Sequence, residues 1–92
     1  MNEHELFIIE HWGEQGKLVI EACKDASPEP MTCKEFLSHC TACGGNWGGM
    51  LLSGIAELYP AVYEAIPDNM GHQAFACIAS TMELLGIIMN EE

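Results

Sequence analysis

The N-terminal quarter of the chain separates polar from apolar residues with a helical period. On a wheel of about 100° per residue, Glu3, Glu10, Glu14, Lys17, Glu21, Lys24 and Asp25 fall on one side. Ile8, Ile9, Trp12, Val19, Ile20 and Cys23 fall on the other, with Gly13 and Gly16 between them and Glu5, Phe7 and Leu18 misplaced. The competing reading is a β-hairpin in which LFIIEHW and KLVIEAC are joined by GEQG, packed on three to four helices. It accounts for the β-branched residues and for both glycines, each of which destabilises a helix interior by about 1 kcal/mol relative to alanine. Strict alternation is poor in both halves while the charge stripe is clean, so the pattern predicts a helix over residues 3–25.

The rest of the chain repeats the helical period between clear breaks. Ser27 to Pro30 interrupts it, and Thr32 with Glu35 has the form of a capping box opening a helix over 32–43 that Gly44 and Gly45 stop. Asn46 can cap a third helix over 47–59. Pro60 suits the first turn of a fourth over 60–66, which Pro67 closes. Asp68 or Asn69 starts a fifth over 69–89. The predicted fold is all-α, a single small acidic domain of four to five helices spanning residues 1–92. Its expected core is Ile9, Val19, Ile20, Phe36, Leu37, Cys40, Leu51, Ile55, Leu58, Phe75, Ile78, Met82 and Leu85. The fifth helix is apolar on nearly every face, so it is either central or covered by a second copy; with few other helices to wrap it, a homodimer through residues 74–89 is expected.

Charge narrows the function classes. Fourteen acidic residues stand against three lysines and no arginine in 92 residues, a net charge of −11. Direct nucleic-acid binding by phosphate neutralisation needs clustered Lys and Arg and is excluded, as is docking on an anionic membrane surface. Residues 36–56, the longest stretch without formal charge, contain His39, Asn46 and five glycines and do not read as a membrane span. Five cysteines cannot all pair within one chain, and the opening MNEHE lacks the basic start of a secretory signal. The expectation is a cytoplasmic protein with reduced thiols.

Cysteine and histidine are the obvious candidates for chemistry, because Cys40 and Cys43 form a C-x-x-C followed by glycines, with His39 alongside. A tetrahedral zinc site would need further ligands from Cys23, His72 or Cys77, and no second ligand pair supplies them. Cys33 and Cys40 lie two turns apart, about 10 Å along a helix, too far to share a metal. The expectation is that Cys33 and Cys40 are buried, reduced and metal-free, with no cofactor, and a zinc-stabilised regulatory module is the alternative. A thioredoxin-like dithiol would sit at a helix N-terminus, whereas this pair falls at a predicted C-terminus. His4, His11, His39 and His72 have no spacing that pairs them with a nucleophilic thiol.

GGNWGG lacks the ending of a phosphate loop. Gly45, Gly49 and Ser53 recur every four residues as a small-residue face, for which Ala76, Ala79 and Ser80 could be the match. Trp47, set among these glycines, is either buried or an exposed anchor for a partner. The acidic residues of the first helix are either a solvating surface or a face attracted to a basic one.

From Met31 to Gly71 the chain resembles small acidic proteins encoded by bacterial phages and integrative mobile elements, through CGGNWGGMLL and LYPAVYEAIPD. The resemblance carries no catalytic residue. It implies a genetic setting in which such proteins act as inhibitors of host defence, anti-CRISPR proteins among them. The resulting expectation is a non-enzymatic protein that binds a basic surface on a larger, nucleic-acid-handling partner. Glu3, Glu10, Glu14, Glu21 and Asp25 would meet that surface and Trp47 would anchor it.

Overall fold

The computed structural model describes residues 2–41, 47–67 and 74–88. The expected all-α architecture is what forms, and neither arm of the N-terminal hairpin is a strand. Its helices are α1 (Glu3–Trp12), α2 (Glu14–Asp25), α3 (Cys33–Leu37), α4 (Trp47–Leu58), α5 (Pro60–Ala65) and α6 (Ala74–Leu84). Two-residue strands β1 (Met31–Thr32) and β2 (Ile87–Ile88) pair in parallel, with Met31 opposite Ile87 and Thr32 opposite Ile88.

The helix expected over 3–25 is two helices. Gly13 takes φ 60° and ψ −132°, a conformation that L side chains rarely adopt, and serves as both the end of α1 and the start of α2. Its N–H still donates to the Ile9 carbonyl at 2.8 Å, but the helix axis turns there and α2 folds back to pack on α1. Gly16 makes that approach possible: a Cβ there would stand 2.6 Å from the Ile8 carbonyl oxygen. The N-terminus of α1 is closed by a capping box. The Glu5 N–H donates to Asn2 Oδ1 at 2.9 Å, and the Asn2 N–H donates to Glu5 Oε1 at 3.2 Å.

Thr32 and Glu35 form the capping box that their spacing predicts, opening α3. The helix ends at Leu37, well short of residue 43. His39 and Cys40 donate back to Phe36 and Leu37 in tightened i−3 turns, and the Thr41 N–H turns to Ser53 Oγ of α4 at 2.8 Å. A tertiary acceptor thus replaces the next helical one. Gly54, outside the predicted small-residue face, is where α4 meets this segment: a Cβ there would lie 2.6 Å from Cys40 Sγ and 2.8 Å from the Phe36 ring. Gly49 and Ser53 of that face are half-buried; Gly45 and the proposed Asn46 cap lie outside the described residues, as do the Asp68 and Asn69 starts.

Pro60 occupies the first turn of α5 as expected, and Ile66 leaves the helix in extended backbone before Pro67. The fifth predicted helix, which ran to residue 89, ends instead at Leu84. Gly86 adopts φ 77° and its N–H bonds to the Glu83 carbonyl, a left-handed stop that releases Ile87 and Ile88 to pair with β1.

Val19 and Cys23 of α2, Phe36, Leu51 and Ile55 of α4, Val62, Ile78, Met82, Leu85 and Ile87 meet in one apolar cluster. α6 lies across α1, α2 and α4, with Cys77, Ile78, Thr81 and Met82 essentially without solvent contact. The Thr81 hydroxyl is satisfied by donating to the Cys77 carbonyl at 2.8 Å. The chain's own helices therefore bury one side of α6, while Phe75 on its other side faces solvent. Two expected core residues face solvent, Leu37 at 36% and Phe75 at 56% exposure, and Ile9, Cys40 and Leu58 are half-buried. Ile8, Cys23, Val62, Ile66, Cys77 and Ile87 fill the core places that the pattern did not assign.

Candidate interaction surface

The five acidic residues singled out from the pattern, Glu3, Glu10, Glu14, Glu21 and Asp25, are all exposed. They do not form one continuous stripe, because the wheel that aligned them assumed a single helix. The turn at Gly13 leaves Glu3 and Glu10 on α1 and Glu14, Glu21 and Asp25 on α2. Two of the three lysines are occupied within this pair of helices: Lys17 Nζ lies 3.3 Å from Glu14 Oε1, and Lys24 Nζ lies 3.5 Å from Glu5 Oε2. Both are exposed at the cationic end, so they contribute little to stability. They neutralise only a small part of the acidic surface, whose field remains negative.

Glu5, misplaced on the wheel, is the exception that the turn explains. It is only 8% exposed, held by Asn2 on its own helix and by Lys24 from α2. The Asn2 backbone hydrogen bond, and then the Lys24 charge, hold its carboxyl below the usual carboxylate range.

Trp47 opens α4 and is 60% exposed. Of its two expected states, buried or available to a partner, the exposed one is found.

Among the described residues the cysteines and histidines form no metal-binding group. The His39 ring is engaged, with Nδ1 3.0 Å from Glu57 Oε2. Cys40 Sγ donates to the Phe36 carbonyl at 3.5 Å and is half-buried, as is Cys33, where both were expected to be buried. Both pack against the edge of the core cluster, whereas Phe36 is the fully buried residue of α3. Cys43 and His72 lie outside the described residues. Among the described residues no three His, Cys, Asp or Glu side chains are grouped to hold a metal ion. Burial pushes the Cys23 thiol up to about 11 and raises Cys77 as well; burial also raises Cys40. Thiols held protonated in this way are poor nucleophiles at neutral pH. His11 is occupied locally, stacked on Phe7 with ring centroids 4.1 Å apart and Nδ1 3.0 Å from the Phe7 carbonyl.

An open groove of about 330 Å³ lies between the end of α2 and the junction of α4 and α5. Its apolar wall comes from Ala22 and Ala26 on one side and Leu58, Pro60, Ala61 and Val62 on the other; Asp25 and Tyr59 are its polar residues. Burial and the neighbouring Glu29 carboxylate raise the Tyr59 phenol, so it stays protonated and able to donate at neutral pH. No sequence spacing links Asp25 to Tyr59; the groove exists because α2 and α5 pack together.

No helix among the described residues is long and apolar enough to cross a membrane. No family model matches the chain, and neither a curated protein nor a solved structure is detectably similar to it.

Proposed function

We propose that this is a non-enzymatic interaction protein of the cytoplasm that binds a basic surface on a larger protein partner, one that handles nucleic acid. The observation that carries this reading is the exposure of Glu3, Glu10, Glu14, Glu21 and Asp25 on a chain of net charge −11. A surface that complements basic patches and repels nucleic acid suits a protein that occupies a nucleic-acid-binding cleft. Inhibition of host defence, in the manner of anti-CRISPR proteins, is the biological role consistent with the resemblance of residues 31–71. Exposed Trp47 supplies an apolar anchor of the kind enriched at interface hot spots. A homodimer through residues 74–89 belongs to the same proposal, with Phe75 and Ile88 exposed in that segment.

Capture from a bacterial lysate tests the proposal. A nucleic-acid enzyme should be retained at low salt, released at high salt, and lost when Glu10, Glu14 and Glu21 are all changed to Lys. Retention of every captured partner by that triple variant would mean that the acidic residues only solvate the protein.

A further inference from the structure

The groove between α2 and the α4–α5 junction has the composition of a site for one long basic side chain. Its volume of about 330 Å³ is at the lower end of the roughly 300–1,000 Å³ that ligand pockets occupy, too small for a folded element and large enough for a side chain. Ala22, Ala26, Leu58 and Pro60 offer a wall to an aliphatic stem. Asp25 and Tyr59 supply a carboxylate and an aromatic ring with a hydroxyl. Neither side-chain oxygen has a hydrogen-bond or ionic partner among the described residues.

The position of Asp25 is a second, independent indication. It is the last residue of α2, where the helix carries partial negative charge and an acidic side chain is disfavoured. Its neighbour Lys24 turns instead to Glu5 on α1. Asp25 therefore holds a stabilisable charge that the fold itself does not use.

We propose that this groove takes an arginine side chain of the basic protein partner, with the methylene stem on the apolar wall and the guanidinium shared between Asp25 and Tyr59. Arginine fits better than lysine because its planar, weakly hydrated head can pair with a carboxylate and stack on an aromatic ring together. The proposal rests on the reading of the protein as a binder of basic surfaces and names the residues that would recognise one side chain of that surface.

Titration of the full-length ¹⁵N-labelled protein with Nα-acetyl-arginine methylamide, followed by NMR, tests it. Saturable shifts are expected at Ala22, Asp25, Ala26, Tyr59, Ala61 and Val62, with the uncharged citrulline analogue at least about tenfold weaker. D25N should weaken arginine binding about tenfold. It should leave the melting temperature unchanged or higher, because it removes an acid from a helix C-terminus. Y59F, which keeps the ring, should weaken binding less than D25N does. Arginine binding to D25N as tight as to the native protein, or shifts centred on Glu10, Glu14 and Glu21 with no excess at the groove, would overturn the proposal. Lysate capture separates its failure from that of the parent reading. Loss of a captured partner on reversing Glu10, Glu14 and Glu21 but not in D25N removes the groove and leaves the basic-surface reading. Saturable arginine binding in the groove, with capture indifferent to those reversals, does the opposite.

Discussion

α2 and α6 are nearly the same length, twelve and eleven residues, and they serve opposite ends. α2 buries one side, Gly16, Val19, Ile20 and Cys23, and turns Glu14, Lys17, Glu21, Lys24 and Asp25 to solvent. α6 buries more of its circumference, with Cys77, Ile78, Ser80, Thr81 and Met82 all buried; its exposed side carries Phe75 and a single charge, Glu83. The chain keeps charge off the helix at its centre and concentrates it on the pair that covers that helix. Residues that hold the fold and residues available to a partner are therefore largely different sets, and substitutions should separate them.

The largest effects should come from α6. Met82→Ala removes a fully buried side chain and should destabilise the protein by about 2–5 kcal/mol, whereas Leu18→Ala on α2, at a position 51% exposed, should stay within about 0.5 kcal/mol. Urea denaturation of both variants checks the contrast, and equal losses would break it. Gly16→Ala comes next, at about 1–3 kcal/mol, because the new methyl would press on the Ile8 backbone carbonyl, which cannot move aside as a flexible side chain can.

These sites also show what could be read from the chain. Features fixed by a few neighbouring residues were legible: the Thr32–Glu35 capping box, Pro60 at a first turn, and the buried side of α2. Features that depend on backbone conformation at one glycine were not, because a helical wheel assigns Gly13 and Gly86 an angle and says nothing of φ. The wheel's misfits proved informative: Glu5 is buried because α2 folds back and Lys24 reaches it, while Leu18 is simply exposed. The individual acidic residues were recoverable as exposed positions, but their arrangement and the Asp25–Tyr59 groove were not, since both follow from how α1, α2 and α5 pack.

Glu5 gives a smaller, pH-dependent effect. Its carboxyl is held below the usual range in the fold, so its contribution is present above its unfolded pKa of about 4.3 and is lost as pH falls through the folded value. The difference in urea midpoint between native protein and Glu5→Gln should be full at neutral pH and shrink on acidification below about pH 4. A difference that does not depend on pH would show that the charge is not what Glu5 contributes.

The smallest effect should be a gain. Ser27 follows α2 with φ 48°, in the left-handed region that favours glycine. Ser27→Gly should stabilise by a few tenths to about 1 kcal/mol, relief of the backbone being partly offset by the greater unfolded-state freedom of glycine. A thermal melt reads it directly, and a lowered midpoint would show that the serine side chain contributes more than its backbone conformation costs.

The most direct test of the central claim is the association rate of the lysate-captured partner, measured against ionic strength by surface plasmon resonance. Steering by Glu3, Glu10, Glu14, Glu21 and Asp25 predicts a rate that falls steeply with salt. Charge reversal at Glu10, Glu14 and Glu21 should lower it about tenfold or more at low salt, and Trp47→Ala should mainly speed dissociation. An association rate that neither salt nor those reversals change would contradict the claim.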